Sequence, residues 1–575
     1  MEPQHQTKTF DEALTLVGSF GRFHCWLFLV NILFHFTLPW LTVVITFIGA
    51  SPEHTCQTHV GFNISNSVTL AKGSQGSDEV LYSSCERYVN PELKNDTEGC
   101  TEGWVYDDSV YGETLVSEWD LVCSKEGLVD ISQSLMMLGG CLGSVCAGIL
   151  ADLYGRKPVI IGSLFIYAIS GCVLVFSPSF IIFVVLFTIN GTAQPGFWFN
   201  CHVLLMEYLL PERRAFISSW PPLFQSFGAV ALSILAFYIR DWRYLQAVLM
   251  IPAVLVLTVS WAIPESARWQ VSRNNVAKGE KLLKKIASIN KKDSVGPFLT
   301  DLSTKETLGE HKKSSVERES HCKEGFSLEE KVSELPTVSA KVTEMSDDVI
   351  LMGQNKASFL DILRPPVLFI TICMCTTRLT YGLVFSGFAL NTGSLAGNPY
   401  LNFMIGSLLE IPAKLFPLFV IGRFGARNLA VIFYFLSGLA LIVIIVLPTE
   451  TNNGTNFDEV ITWVSLIGRC LITATLASIL LLPMELYPTQ QRTLGSGVAE
   501  FFGRLGGVVA PLLLYLDNLV PNTSLITMAV TSMLSALMTF FLPETLNEPH
   551  PETIDDLKKL MKKKRRIFPS SKSST

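Results

Sequence analysis

Long apolar runs separated by shorter polar segments dominate the chain. A helix needs about twenty mostly apolar residues to cross a bilayer, and twelve runs approach or exceed that length. Because lipid offers no partner for unpaired backbone groups, such runs are predicted to be helices. The predicted spans are 24–48, 128–150, 158–177, 181–207, 214–238, 244–263, 367–390, 399–421, 428–447, 459–484, 494–517 and 523–543. The pattern therefore predicts an all-α membrane protein with twelve transmembrane helices.

The polar segments divide these helices into two groups of six. A long stretch between the sixth and seventh runs is rich in Lys, Ser and Glu from 270 to 358, and is predicted to be partly disordered. The predicted organisation is an N-terminal segment 1–23, a first bundle 24–263 with a large loop at 49–127, a linker 264–366, a second bundle 367–543 and a tail 544–575.

Two short motifs recur at nearly the same spacing, which indicates a duplication. Glu207 and Arg214 recur as Glu485 and Arg492, an offset of 278 residues. The tripeptide 264–266, Pro-Glu-Ser, recurs as Pro-Glu-Thr at 543–545, an offset of 279 residues. Many membrane transporters consist of such repeated halves.

Composition agrees with a membrane protein and argues against other classes. Only 16 % of the residues are charged, against about a quarter in a soluble protein. The net charge of −6 gives no reason to expect a nucleic-acid partner. The sequence has no nucleotide-binding loop, metal-ligand cluster or nucleophilic constellation, so we expect no enzyme activity and no cofactor. No cleavable signal peptide is predicted, because the first apolar run is too long for one.

The large loop after the first span has the features of an extracellular segment. It contains four cysteines and two sequons, which is typical of an oxidised and glycosylated loop. Four cysteines allow three pairings, and the sequence does not choose among them. The cysteines are Cys56, Cys85, Cys100 and Cys123, and the sequons start at Asn63 and Asn95.

Basic segments and sequons together predict the orientation. The linker and the tail are rich in Lys and Arg, which favours a cytoplasmic position for both. The sequons at Asn453 and Asn522 then fall outside, with those of the large loop. We expect both termini in the cytoplasm and the protein in the plasma membrane.

A motif at the end of the second span predicts a gate. It places Gly148, Asp152, Gly155, Arg156 and Lys157 where a small residue allows close helix contact and an acid can hold a cation of the other half. The motif resembles the signature of the major facilitator superfamily, although simple helix capping is an alternative. The second half has a degraded copy at 422–427, with glycine where the acid should be.

Further gating residues follow from the repeated motifs. Glu207 with Arg213 or Arg214, and Glu485 with Arg492, are predicted to form ion pairs that break as the halves rock. Glu265, Arg268 and Glu544 are predicted to belong to the same gates. A proton relay through His202 and Glu207 is a less favoured alternative.

Several segments resemble solute carrier family 22, the organic ion transporters, over nearly the whole chain. They are 20–23 (Phe-Gly-Arg-Phe), 118–123 (Glu-Trp-Asp-Leu-Val-Cys), 241–243 (Asp-Trp-Arg), 264–269 (Pro-Glu-Ser-Ala-Arg-Trp) and 485–489 (Glu-Leu-Tyr-Pro-Thr). The resemblance implies polyspecific, sodium-independent transport by alternating access.

Two bases inside predicted spans bear on the substrate. Lys414 and Arg504 resemble the basic residues of the organic anion branch, and a cation within the membrane is costly unless it has a function. Each also has an acid four residues earlier, Glu410 and Glu500, so an intrahelical pair is the alternative in both cases. Glu500 is unexpected in the anion branch and favours a zwitterion or an anion that carries a donor group.

The resemblance also suggests residues that line the cavity, with fewer aromatic rings than relatives have. Arg378 is either a third positive group or a base at the cytoplasmic end of the bundle. The expected lining residues are Phe385, Ser386, Arg378, Leu476, Leu480, Leu38 and Thr42.

We therefore expect a carrier of small organic anions that works by facilitated diffusion or by exchange for a counter-anion. A carrier of cations or carnitine-like zwitterions that uses Glu410 or Glu500 is the first alternative. The second is a non-transporting receptor or scaffold with the same fold, which the degraded second gating motif would permit.

Overall fold

The computed structural model describes residues 10–18, 20–58, 68–70, 82–89, 96–210, 213–214, 217, 220–273, 275–292, 365–447, 457–488, 491–517, 519–546, 551, 557–559 and 561. Within them, twelve helical spans are long and apolar enough to cross a membrane. Each coincides with one predicted span.

The twelve spanning helices, numbered in chain order, are α1 (Arg22–Thr37), α2 (Leu128–Tyr154), α3 (Arg156–Leu174), α4 (Phe180–Tyr208), α5 (Pro221–Tyr238), α6 (Trp242–Ser260), α7 (Val367–Leu390), α8 (Pro399–Phe424), α9 (Ala426–Val446), α10 (Asp458–Leu486), α11 (Arg492–Asp517) and α12 (Thr523–Phe540).

Prolines set two of these boundaries. The first span continues beyond α1 as two short helical segments, Pro39–Thr42 and Ile45–Ile48, because the proline supplies no N–H to the preceding turn. The fifth span was predicted to begin at 214, but α5 begins at Pro221, a residue type that favours the first turn of a helix.

Each half packs around its own apolar core. One cluster joins the helices of α1–α6, and a second joins α7 with α9–α12. Tyr400 and Phe403 of α8 belong to the first cluster, so this helix connects the halves. The large loop follows the first of the twelve spans and lies at one end of the bundle, which we call the loop end. The helix Phe10–Val17 before the first span and residues 541–546 after the last one lie at the other end, which we call the terminus end.

The large loop contains five short strands: β1 (His54–Cys56), β2 (Val68–Leu70), β3 (Tyr82–Tyr88), β4 (Thr97–Gly99) and β5 (Trp104–Tyr106). Strands β1 and β5 pair antiparallel, and β2, β3 and β4 form a second antiparallel sheet. The structure selects one of the three possible cysteine pairings, Cys56–Cys100 with Cys85–Cys123.

An ion pair fastens this loop to the bundle. The Trp242 indole N–H donates to Glu118 Oε2 at 2.6 Å, and Arg243 donates to both oxygens of the same carboxylate. The loop motif 118–123 and the motif 241–243 at the start of α6 therefore act together.

Of the four predicted glycosylation sites, Asn63, Asn95 and Asn453 lie outside the described residues. Asn522 precedes α12 in the left-handed region, with φ 63°, at the loop end as predicted.

The first part of the linker is helical rather than irregular. A helix at Val276–Ile289 packs against the helix Phe10–Val17 and the start of α1. Asn290 explains the attachment, because its Oδ1 accepts from the Phe23 N–H at 3.0 Å and its Nδ2 donates to the Val17 carbonyl at 3.3 Å. The predicted disorder further along the linker concerns 293–358, which lies outside the described residues.

Candidate functional site

The two halves meet closely at the loop end. Phe47, after α1, stacks on Tyr400 of α8 with ring centroids 5.4 Å apart and an interplanar angle of 3°. The Ser233 hydroxyl of α5 donates to the Tyr400 carbonyl at 2.6 Å. On the other side of the molecule, Gly127 lies directly against the ring of Tyr515 at the end of α11.

The halves separate towards the terminus end. Near the middle of α2 and α11, a Cβ added to Gly507 would lie 3.4 Å from Met137 Sδ. A Cβ added to Gly148 or Gly497, further towards the terminus end, would meet no described atom within 4 Å. Gly148 was expected to allow close helix contact, and no such contact with a described residue is present in this conformation. The contacts between the halves described here thus lie at the loop end and in the middle of the helices, and we refer to the space between α2 and α11 towards the terminus end as the cleft.

One buried carboxylate organises the charges of α8 and α10. Glu410 Oε1 accepts from Arg469 Nη2 at 2.8 Å and from Nε at 3.0 Å. Its Oε2 accepts from Lys414 Nζ at 3.1 Å and from the Ser226 hydroxyl at 3.0 Å. Both ionised side chains on α8 and the one on α10 are almost fully buried. One acid thus neutralises one of two neighbouring bases, and the group has a net charge of +1.

Lys414 uses its three N–H groups within the protein. Besides Glu410, its ammonium donates to Ser226 Oγ at 2.6 Å and to the Pro222 carbonyl at 3.1 Å. Pro222 and Ser226 belong to α5 of the first half, so Lys414 bridges the halves. The intrahelical pair with Glu410, the alternative that the spacing suggested, is present.

Arg504 behaves differently. Glu500, its predicted intrahelical partner, instead pairs with Arg378 of α7 at 3.3 Å. Arg504 forms no ion pair with any residue that the structure describes, and its guanidinium lies 5.8 Å from the ring centroid of Trp198 on α4. This half-buried cation faces the opposite half. Arg378 is therefore a paired base in the interior, not a base at the end of the bundle.

The other expected lining residues differ in burial and in their contacts. Phe385 stacks on Tyr381 at 5.6 Å, and Ser386 Oγ lies 3.5 Å from a Cβ added to Gly507. Leu476 is half-buried against the second core and Leu480 is exposed. The carbonyls of Leu38 and Thr42 accept from Gln194 and Gln133, so both positions are held by the first half.

At the terminus end, Arg156 binds the acid, Glu207, that was predicted to pair with Arg213 or Arg214. It donates to Glu207 Oε1 at 3.0 Å and to Asp152 Oδ1 at 2.6 Å. In this conformation Arg156 reaches Glu207 from the neighbouring α3, and the predicted pair of Glu207 with Arg213 or Arg214 is not formed. Because that pair is expected to break when the terminus end opens, it stays a prediction for the opposite state. Arg213 lies over the ring of Phe20, and Arg214 Nε donates to the Leu209 carbonyl.

In each half an acid lies against the glycine of the turn, and in the first half this acid caps the following helix. Gly155 has φ 104°, and Glu265 accepts from the N–H groups of Arg156 and Lys157 at 2.8 and 3.2 Å. A carboxylate at a helix N-terminus is favourable because free N–H groups point towards it. In the second half, Gly425 has φ 80°, and a Cβ there would collide with Glu544.

The second half does not repeat this cap. Glu544 Oε1 accepts from the N–H of its neighbour Thr545 at 3.1 Å, and its Oε2 has no hydrogen-bond partner among the described residues. Arg427 lies 3.5 Å from Glu544 and donates to the Leu542 carbonyl at 3.1 Å. Lys157 donates in the same way to the Trp261 carbonyl at 2.8 Å in the first half. The capping interpretation of the motif is therefore realised in the first half, where Glu265 accepts from the first N–H groups of α3.

The predicted ion pair between Glu485 and Arg492 is not formed. Glu485 instead accepts a hydrogen bond from the Thr545 hydroxyl. Arg492 Nε and Nη2 have no hydrogen-bond partner among the described residues. Arg268 lies over the ring of Phe10, with its Cζ 5.0 Å from the centroid.

Arg469 is a candidate site residue that the sequence analysis missed. A charged residue within an apolar run is expensive and so signals a function, and this rule applies to position 469 as much as to 414. The sequence analysis also did not predict the contact between His35 and His202. Their rings lie 5.8 Å apart, and His202 Nδ1 is buried without a hydrogen-bond partner among the described residues.

Two six-helix halves around a charged cleft, with an acid against the turn glycine in each half, define a class of membrane transporter. The family model of the Major Facilitator Superfamily matches residues 125–511, and the chain belongs to that superfamily. Within it, the chain is a member of solute carrier family 22, the organic ion transporters, which are carriers and not enzymes.

Relatives of both charge types match over most of the chain. Solute carrier family 22 member 6-B of Xenopus laevis is 31 % identical over 98 % of this chain and 97 % of its own. Organic cation transporter protein of Drosophila melanogaster is 30 % identical over 82 % of this chain and 79 % of its own. Human organic anion transporter 3 is 29 % identical, covering 96 % and 93 %.

Solved structures support the fold alone. The inward-open xylose transporter XylE from E. coli superimposes with a TM-score of 0.56 at 15 % identity, covering 93 % of this chain and 99 % of that chain. The chain is thus a multi-pass membrane transporter of organic ions.

Proposed function

We propose that the protein carries small organic anions across the plasma membrane and that Arg504 binds the anionic group. The observation that carries this proposal is the position of Arg504, a half-buried guanidinium in the cleft without an ion-pair partner among the described residues. A guanidinium can donate two parallel hydrogen bonds to a carboxylate or a sulfate, which suits this role.

The balance of charge in the interior supports an anionic substrate. The middle parts of the described helices contain four basic side chains and two acidic ones: Arg378, Lys414, Arg469, Arg504, Glu410 and Glu500. The four bases and two acids together have a net charge of +2. In a medium of low dielectric constant, such an excess attracts an anion and repels an ammonium group.

Lys414 has an indirect role in this proposal. Its ammonium is satisfied by Glu410, Ser226 and Pro222, so it holds α5 against α8 while the cleft is open at the terminus end. Phe385, Leu476 and Leu480 would pack against the apolar part of the substrate, and Ser386 and Thr42 would contact its polar groups.

Transport would proceed by alternating access, in which the loop end and the terminus end close in turn. With both termini in the cytoplasm, the present conformation is open to the inside and closed by contacts at the loop end. The gate residues at the terminus end, including Asp152 and Arg156, would close the opposite side when the halves rock. The driving force would be the gradient of the substrate, or of a counter-anion in exchange.

The direct test is uptake of a labelled aryl carboxylate by cells that express Arg504→Ala. Loss of a hydrogen bond to a charged group costs about 1.5–3 kcal/mol, so Vmax/KM is expected to fall roughly 10- to 150-fold. Arg504→Lys should retain part of the activity, since it keeps the charge.

Arg423→Ala is a matched control, because Arg423 is an exposed arginine at the terminus end of α8. Unchanged uptake by Arg504→Ala, at equal surface expression, would exclude Arg504 as the anion site. Preloading cells with unlabelled carboxylate separates exchange from facilitated diffusion, since only exchange is accelerated by it.

A carrier of zwitterions is the second candidate, and one observation favours it. The Glu500 side chain is 47 % exposed one turn before Arg504, so a substrate with both charges would find an acid beside the base. In this case Glu500→Gln should reduce uptake of a labelled carnitine-like zwitterion and leave aryl carboxylate uptake unchanged. Uptake of a labelled quaternary amine would favour the cation alternative, and no uptake of any of the three would favour the receptor or scaffold.

A further inference from the structure

A cavity of about 220 Å³ lies outside the cleft, at the terminus end of the first half. It is a half-open cavity bounded by the first turns of α1, the chain just after α6 and the linker helix Val276–Ile289. Its walls are mostly apolar and include Trp26, Leu282 and Ile289. Two cations, Arg22 and Lys285, also line it, and among the described residues no acidic side chain does.

The cavity lies where these helices meet the edge of the bilayer. Arg22 begins α1, and the exposed Leu29 and Leu33 continue the same side of that helix into the membrane. Beside the cavity, Trp261 at the end of α6 is 67 % exposed, a position typical of tryptophan at a membrane interface. An acyl chain in the adjacent leaflet can therefore reach the cavity from the side.

The linker helix brings further positive charge to the same level. Its apolar side packs on the bundle through Leu283 and Ile286, and its other side is basic. From 276 to 292 the chain has six lysines and one acid, Glu280, which lies 3.5 Å from Lys284. Helices with one apolar and one basic side bind the interface of membranes that contain anionic lipid.

The two cations of the cavity are available for a ligand. Neither Arg22 nor Lys285 forms an ion pair with any residue that the structure describes. The helix that presents Lys285 is held in place by Asn290, whose contacts with Phe23 and Val17 fix it against the start of α1. The site is thus assembled from three segments and does not depend on one flexible side chain.

We propose that this cavity binds an anionic glycerophospholipid of the leaflet at the terminus end. Arg22 and Lys285 bind the phosphate and its acidic headgroup, while the upper part of one acyl chain packs against Trp26, Leu282 and Ile289. The apolar walls favour a lipid over a free phosphate, because a small ion would leave them unfilled. If the termini are cytoplasmic, this leaflet is the one rich in anionic lipid.

Trp26 provides a local probe for the test. Full-length protein in detergent is titrated with phosphatidylserine or phosphatidylcholine whose acyl chains are brominated, and the quenching of tryptophan fluorescence is measured. The same titration of Trp26→Phe is subtracted, so that the difference reports on Trp26 alone. We expect brominated phosphatidylserine to quench at lower concentration than brominated phosphatidylcholine. Each basic contact contributes about 1 kcal/mol, so Arg22→Gln with Lys285→Gln should weaken the phosphatidylserine effect roughly 30-fold.

Two variants control for charge and for folding. Lys278→Gln with Lys281→Gln removes two charges from the same helix outside the cavity. The apparent affinity of this variant for phosphatidylserine should remain at least about tenfold higher than that of the cavity variant. Arg22→Lys with Lys285→Arg keeps both charges and should retain binding. Equal loss in the two neutralised pairs, equal quenching by the two lipids, or displacement by millimolar inorganic phosphate would each overturn the proposal.

Discussion

At the scale of single residues, Glu410 determines whether the interior charges are tolerated. Its carboxylate accepts from Arg469 and Lys414, and all three side chains are buried. Removing one partner of a buried pair leaves an uncompensated charge and typically costs about 3–5 kcal/mol. We therefore expect Glu410→Gln to lower the free energy of unfolding by about that amount, measured as a lower melting temperature of the purified protein.

Lys414→Gln is the informative comparison at this site. It leaves Glu410 with Arg469 as a neutral pair, so its effect on the melting temperature should be clearly smaller than that of Glu410→Gln. Equal effects would mean that Arg469 is not held by Glu410 in solution.

At the scale of helices, the turns between α2 and α3 and between α8 and α9 require glycine. Gly155 has a positive φ and lies against Glu265, so a side chain there is both strained and obstructed. Gly155→Ala is expected to cost about 1–3 kcal/mol, the range for a residue held in a strained conformation. The melting temperature of the purified variant measures this cost.

Gly162→Ala, within α3, is the matched control, because a Cβ there meets no described atom within 4 Å. Alanine is a better helix former than glycine, so this change should be neutral or stabilising. A Gly155→Ala variant as stable as Gly162→Ala would contradict the capping role of Glu265.

At the scale of the whole molecule, the open end of the cleft must close once in each transport cycle. Gly148 of α2 and Gly497 of α11 stand free in the present conformation, on the helices whose other ends touch at Gly127 and Tyr515. Gly148→Trp or Gly497→Trp should therefore spare this state and obstruct the closed one. Overpacking a helix contact costs about 1–3 kcal/mol, so uptake is expected to fall roughly 5- to 150-fold.

Gly162→Trp controls for the bulk of the added ring, since Gly162 also stands free but α3 packs within its own half. Normal uptake by both cleft variants would show that these helices do not approach at the terminus end during transport. Lower surface expression in the cleft variants alone would point to misfolding instead, so uptake is compared per molecule at the surface.

The sequence sufficed for features that depend on local pattern. Twelve spans were predicted because each apolar run must satisfy its own backbone in lipid. The duplication was visible because Glu265 and Glu544 keep nearly the same spacing from Glu207 and Glu485, 58 and 59 residues, and both acids lie beside a turn glycine in the structure.

Tertiary structure alone decided which charges and which cysteines pair. Glu500 and Arg504 are four residues apart, but Arg378 of α7 lies closer to the Glu500 carboxylate. Glu207 likewise binds Arg156, and Glu410 binds Arg469 in addition to its neighbour Lys414. Sequence spacing states which pairs are within reach along one helix. Which pair forms depends on which helices lie side by side in the fold, and residue spacing along the chain does not determine that.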